Sequence, residues 1–242
     1  MYWKKDLREK DDAVSPVIAL MLILAILATC LAVYTTTYVP GLKQQDEITH
    51  SGEVKLAFER FASDIDNLIA LGKPAVYTEV LELGGGDVPL SPTKSSGTIE
   101  INTTVIGTYQ TDSETKDLNG IEISYTPSFT AWEKQSYLYK NGVVWITKDE
   151  KRTPAMLTLY KVGDGENREK EVLQKWYHAS TEIILNFSVV EGKSEITGTS
   201  AVKLRLNATL GDYLSSVIVT LNDGTSRTCT NARLLNIEVS VE

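Results

Sequence analysis

No charged side chain occurs between Ala13 and Leu42. Coiled as a helix at about 1.5 Å per residue, that run exceeds the ~30 Å hydrocarbon thickness of a bilayer. It starts directly behind a leader that holds Lys4, Lys5, Arg8 and Lys10 together with Asp6, Glu9, Asp11 and Asp12. Three devices share this outline: a secretory signal peptide that is removed whole, a signal anchor that stays, and a leader whose charges are cut away while the apolar helix is kept. A secretory peptide fits poorly, because its apolar region typically spans only ~7–15 residues and ends at a small-residue cleavage site. The Lys and Arg asymmetry across the run places the N-terminus on the cytoplasmic side and the bulk of the chain outside.

The prolines set the expected limits of the helix. Pro16 suits a first helical turn, where a missing N–H costs little, and Ser15 before it can cap that turn. Pro40-Gly41 reads as a kink or short break at the far end. Beyond it, Ile48, Phe58, Phe61, Ile65, Leu68 and Ile69 fall mostly at three- and four-residue steps, with Val54 less regular. That spacing predicts an amphipathic helix with one face to bury. It ends at Leu71-Gly72, with Gly72 as C-cap and Pro74 beyond. Within the apolar run, Ala25, Ala28 and Ala32 share a face that would let helices approach closely in lipid. Alanine is common in any membrane helix, so the same residues also read as plain composition.

At "DDAVSPVIALMLILAILA" the chain resembles the N-terminal segment of archaeal type IV pilin-like proteins, in which a charged leader precedes an "AVSPVIG"-like motif and an apolar helix. The likeness covers Asp11 to Val39, and Ala19 stands where the family usually has glycine. The resemblance implies cleavage by a membrane prepilin peptidase beside Ala13, at Asp12/Ala13 or Ala13/Val14. It also implies a retained helix starting at Ser15-Pro16, and self-assembly or association with other pilins through that helix. Bacterial pilins carry a glutamate at the fifth mature position; here that position is Val17 or Ile18, and archaeal relatives generally lack the carboxylate too.

From Lys73 onward, Gly84-Gly85-Gly86, Pro89, Ser91-Pro92 and Ser95-Ser96-Gly97 mark loops between short β-rich runs. In "AVKLRLNATL", Val202, Leu204, Leu206 and Ala208 fall on one face, and Lys203, Arg205 and Asn207 on the other. Asn141-Gly142 and Asp223-Gly224 are hairpin turns. "SAVKLRLNATLG" and "YLSSVIVTLNDG" read as separate strands, and Gly165–Ser180 as a short helix. The expected fold is α+β: a charged leader over 1–13, an N-terminal helix over 14–72 and an antiparallel β-sandwich-like extracellular domain over 73–242. Within that helix, 14–39 is the membrane or assembly segment and 43–72 the amphipathic part. Three Asn-x-Ser/Thr sequons, at Asn102, Asn186 and Asn207, are candidate N-glycosylation sites of a surface protein, or coincidence in a Ser/Thr-rich chain. Alternation puts Asn207 on the polar face.

Little in the sequence asks for catalysis. The two histidines, His50 and His178, have no cysteine or carboxylate neighbours at metal-ligand spacing, and read as surface or core residues. Asp64 and Asp66 point to different helix faces, and "GDGEN" is a turn without a full calcium-ligand series. No phosphate loop, nucleotide fingerprint or hydrolase elbow is present, so neither cofactor nor metal is expected. The net charge of -8 repels nucleic acid. Cys30 lies in the apolar run and Cys229 far from it, which argues against an intramolecular disulfide. The expected role is therefore structural: a pilin-like subunit at the cell membrane or in a surface filament, with membrane lipid and the prepilin peptidase as partners. The alternative is a non-polymerising, membrane-anchored protein whose β-domain binds a glycan or protein, with Trp132, Trp145 and Trp176 as the aromatic side chains for that role or for core packing.

Overall fold

A computed structural model describes residues 16–85, 88–89, 91, 93–140, 142–157 and 182–242. Helix α1 (Pro16–Val33), a π turn (Tyr34–Tyr38) and helix α2 (Val39–Leu71) form one unbroken helix, Pro16–Leu71. Of the kink or short break expected at Pro40-Gly41, the break is absent. Pro40 has no N–H to offer the Thr36 carbonyl. The turn before it widens instead, with the Val39 N–H bonding to the Tyr34 carbonyl, and the helix runs on. The C-terminal stop is as expected: Gly72 adopts φ 55°, ψ 33°, and its N–H closes on the Leu68 carbonyl at 3.0 Å.

Ten strands follow among the described residues: β1 (Ala75–Glu82), β2 (Ser96–Gln110), β3 (Thr115–Ser128), β4 (Gln135–Lys140), β5 (Val143–Lys148), β6 (Lys151–Leu157), β7 (Glu182–Val189), β8 (Glu195–Gly198), β9 (Ala201–Leu221) and β10 (Ser226–Val241). They join in the order β6-β5-β4-β3-β2-β9-β10-β7, with β1 added to β9 and β8 to β2. All pairs are antiparallel except β7 with β10, which is parallel. The predicted hairpins are present: Lys140 pairs with Val143 around Gly142, and Thr220 pairs with Ser226 around Gly224.

The two runs expected as separate strands are one, β9, of 21 residues. The irregularity is a bulge in β9 itself, where Gly211 and Asp212 stand opposite the single Leu234 of β10, so Gly211 does not end the strand. Along β9 the edge partner changes: β1 pairs with Ala201–Ala208, and β2 pairs with Ile218–Leu221. The sheet therefore divides into two limbs held together at the β2–β9 crossing. β7 ends the path yet lies against β3, from which β2, β9 and β10 separate it in strand order. The sheet curls on itself in the manner of a sandwich. The expected helix over Gly165–Ser180, with Trp176 and His178, lies outside the described residues.

The alternation in β9 puts Val202, Leu204, Leu206 and Ala208 into the core, as read from the sequence. Helix α2 lies on β1 of one limb and on β4 and β5 of the other. Val54, Ala57, Phe58, Phe61, Ile65, Leu68 and Ile69 face inward and merge with both limbs in one apolar core. Phe61 meets Tyr139 edge-on at 5.2 Å between ring centroids. Ile48 is not on this face and is exposed. The inward stripe instead begins at Val39 and runs through Lys43, Glu47, His50 and Ser51, which are all buried.

Candidate functional site

Helix α1 is apolar all round, rich in Leu, Ile and Ala, and none of its residues is buried. A helix with that surface has no exposed polar face to give to water. Its few polar groups are satisfied within the helix. Thr29 Oγ1 donates to the Ala25 carbonyl at 2.8 Å, Thr35 Oγ1 to the Leu31 carbonyl at 3.0 Å, and Thr36 Oγ1 to the Ala32 carbonyl at 2.7 Å. The segment is long and apolar enough to cross a membrane by length and composition. Tyr34 and Tyr38 stack at 5.8 Å at its C-terminal end, where amphipathic rings suit a lipid–water boundary. Ala25, Ala28 and Ala32 lie on this exposed helix, and Pro16 is its first residue. Asp12, Ala13, Val14 and Ser15 lie outside the described residues.

What fixes this helix to the β-domain is a polar clamp that the apolar spacing did not reveal. Lys43 Nζ donates to the Thr93 carbonyl at 2.7 Å and to Thr93 Oγ1 at 2.6 Å. Glu47, 0% exposed, accepts from Ser95 Oγ at 2.5 Å and the Thr130 N–H at 2.9 Å through Oε1, and from the Ala131 N–H at 2.8 Å through Oε2. Burial opposes ionisation of this carboxyl, but the bonds from Ser95 and from the backbone of Thr130, Ala131 and Trp132 outweigh it and hold its pKa below the ordinary 4.5.

One turn further along, His50 Nε2 lies 2.9 Å from Tyr125 Oη, which itself donates to the Leu83 carbonyl at 2.9 Å. The phenol therefore accepts from the imidazole, and Nε2 carries the proton. Burial lowers the His50 pKa from 6.5, against the pull of Glu53, Glu82 and Asp46, and burial raises the Tyr125 phenol. Gly97 makes room for this contact: a Cβ there would stand 2.5 Å from both the Leu83 carbonyl oxygen and Tyr125 Oη. Ser51 completes the clamp with Tyr137, whose Oη donates to the Ser51 carbonyl at 2.8 Å.

The signal for the clamp was the helical step itself. Residues 43, 47, 50 and 54 continue the stripe of 58, 61, 65 and 68 at three- and four-residue intervals, so the polar side chains had to face inward with Val54.

The sequons are dispersed. Asn102 is exposed on β2, with Nδ2 donating to Glu100 Oε1 at 2.7 Å. Asn207 is half-buried on β9. Asn186, on β7, accepts the Asn119 N–H at 3.1 Å and donates to Asn236 Oδ1 at 3.4 Å, so its amide ties β7 to β3 and β10. Trp132 and Trp145 are half-buried. Among the described residues no three His, Cys, Asp or Glu side chains gather to hold a metal ion, and neither Cys30 nor Cys229 is in a disulfide. Comparison of the chain with protein-family models, with curated proteins and with solved structures finds no match.

Proposed function

We propose that this chain is a pilin-type structural subunit of an archaeal cell surface, whose apolar helix sits in the membrane and then among like helices in a filament. One observation supports this reading above the others. A helix with no buried residue continues without a break into one that is clamped and packed onto a β-domain. Such a helix is a rigid handle, and its bare apolar surface needs lipid or other helices around it. The "AVSPVI" motif behind the charged leader supports removal of the leader by a prepilin peptidase beside Ala13, which leaves the handle at the new N-terminus. In this reading the β-domain lies outside the membrane and forms the outer surface of the filament.

Mass spectrometry of the native N-terminus tests the processing step. A chain beginning at Ala13 or Val14 is expected, and an intact Met1 would replace the proposal with a plain signal anchor. Electron microscopy of sheared surface filaments, with and without the gene for this chain, tests assembly. Filaments unchanged by deletion, together with lost adhesion to a defined glycan, would favour an anchored binding protein.

A further inference from the structure

The three sequons share one motif but occupy different environments. Asn186 is followed by Phe187, which is fully buried, and its carboxamide bridges β3 and β10. Oδ1 takes the Asn119 N–H of β3 while Nδ2 faces Asn236 of β10, so a sugar on Nδ2 would crowd Asn236 and disturb the carboxamide that reaches β3. Asn102 stands in the opposite situation. It is exposed on β2 between the stretch that pairs with β8, Gly97–Glu100, and the stretch that pairs with β9, Gly107–Gln110. Its single side-chain bond is to the flexible Glu100 carboxylate.

Asn207 lies on the outer face of β9, opposite Val76 of β1 and Glu238 of β10. Its side-chain amide makes no hydrogen bond among the described residues, and Thr209, the hydroxyl residue of the sequon, is exposed. Beside it, β1 leaves Val76 52% and Val80 59% exposed on the same face, opposite Asn207 and Lys203. Exposed valines on an edge strand invite association. A glycan rooted at Asn207 would lie over them, with the apolar faces of its sugar rings on the valines.

We infer that Asn102 and Asn207 carry N-linked glycans in the folded protein and that Asn186 does not, its amide being reserved for joining the limbs of the sheet. In the transfer, a bond forms between Asn Nδ2 and C1 of a sugar while the C1–O bond of a phosphate-activated, lipid-linked donor breaks. The phosphate leaves with the bonding electrons, and the Nδ2 proton passes to a base of the transferring enzyme.

The inference rests on the outward placement of the β-domain. The test is peptide mass spectrometry of the folded protein purified from its native cells, paired with protease digestion of intact cells. Sugar mass on the Asn102 and Asn207 peptides and none on the Asn186 peptide is expected. A bare Asn102 or Asn207 peptide from a domain that protease cleaves on intact cells, or sugar on Asn186, overturns the assignment. A protected domain bare at all three sites overturns the outward placement as well. Asn207→Gln should lose one glycan mass and increase binding of an apolar dye without lowering the thermal midpoint. Asn186→Gln should keep the glycan mass unchanged and lower the midpoint; an unchanged midpoint would remove the joining role.

Discussion

Glu47 joins α2 to two separate segments of the β-domain. It is an ionised carboxylate without solvent, held by donors from the segment before β2 and the segment after β3. Hydrogen bonds to a charged group contribute about 1.5–3 kcal/mol each, and stranding their donors adds the desolvation penalty. In Glu47→Gln an NH2 group must face N–H or O–H donors. The expected cost is about 3 kcal/mol, a fall of roughly 6–12 °C in thermal midpoint for a chain of this size, read by circular dichroism of the detergent-solubilised protein.

The pH dependence follows from the same carboxyl. Its folded pKa lies below 4.5, so its contribution is complete above pH 4.5 and is lost as pH falls through the folded value. His50 acts in the same direction at higher pH. Its folded pKa is depressed, so the unfolded chain takes up the proton first and stability declines as pH falls below 6.5. Asp64 opposes both: burial and Glu79 raise it from 3.8 to about 6, which favours the fold at the acidic end of that window. Glu47→Gln should therefore remove the loss of stability below pH 4.5 while leaving the His50 slope intact.

At the level of the element, two residues of α2 that a sequence pattern treats alike separate sharply. Phe61 is buried against Tyr139, whereas Ile48 faces solvent. Phe61→Ala should cost about 3–5 kcal/mol and Ile48→Ala no more than about 0.5 kcal/mol in denaturant unfolding. Local chemistry was legible beforehand: the apolar run, the Gly72 cap, the Gly142 and Gly224 turns and the inward face of β9 each depend on a few adjacent residues. What was not legible depends on partners distant in sequence. Nothing near Gly211 says that β9 will take up an extra residue against β10 and run on as one strand. The helical step turns Glu47 inward, but nothing near it says that Ser95 and Thr130 will meet it. At Pro40 the break does not occur, because proline forbids one hydrogen bond and a wider turn satisfies the remaining backbone as well as a break would.

For the whole molecule, the division of labour along the long helix can be tested by removing half of it. None of the α1 residues is buried, and the inward face of the helix begins only at Val39. Stability of the β-domain should therefore reside in α2, the sheet and their shared core. A chain starting at Val39 should keep its thermal midpoint within about 2 °C of the full-length protein, since a shift of that size corresponds to less than roughly 1 kcal/mol. It should also stay in the aqueous phase of a detergent phase separation, where the full chain enters the detergent. An aqueous, folded domain would show that α1 adds no stability and is free to engage lipid or neighbouring helices with its entire surface. A truncated chain that melts early would show instead that α1 supports α2 across the π turn, so that changes of environment around α1 would reach the clamp at Lys43 and Glu47.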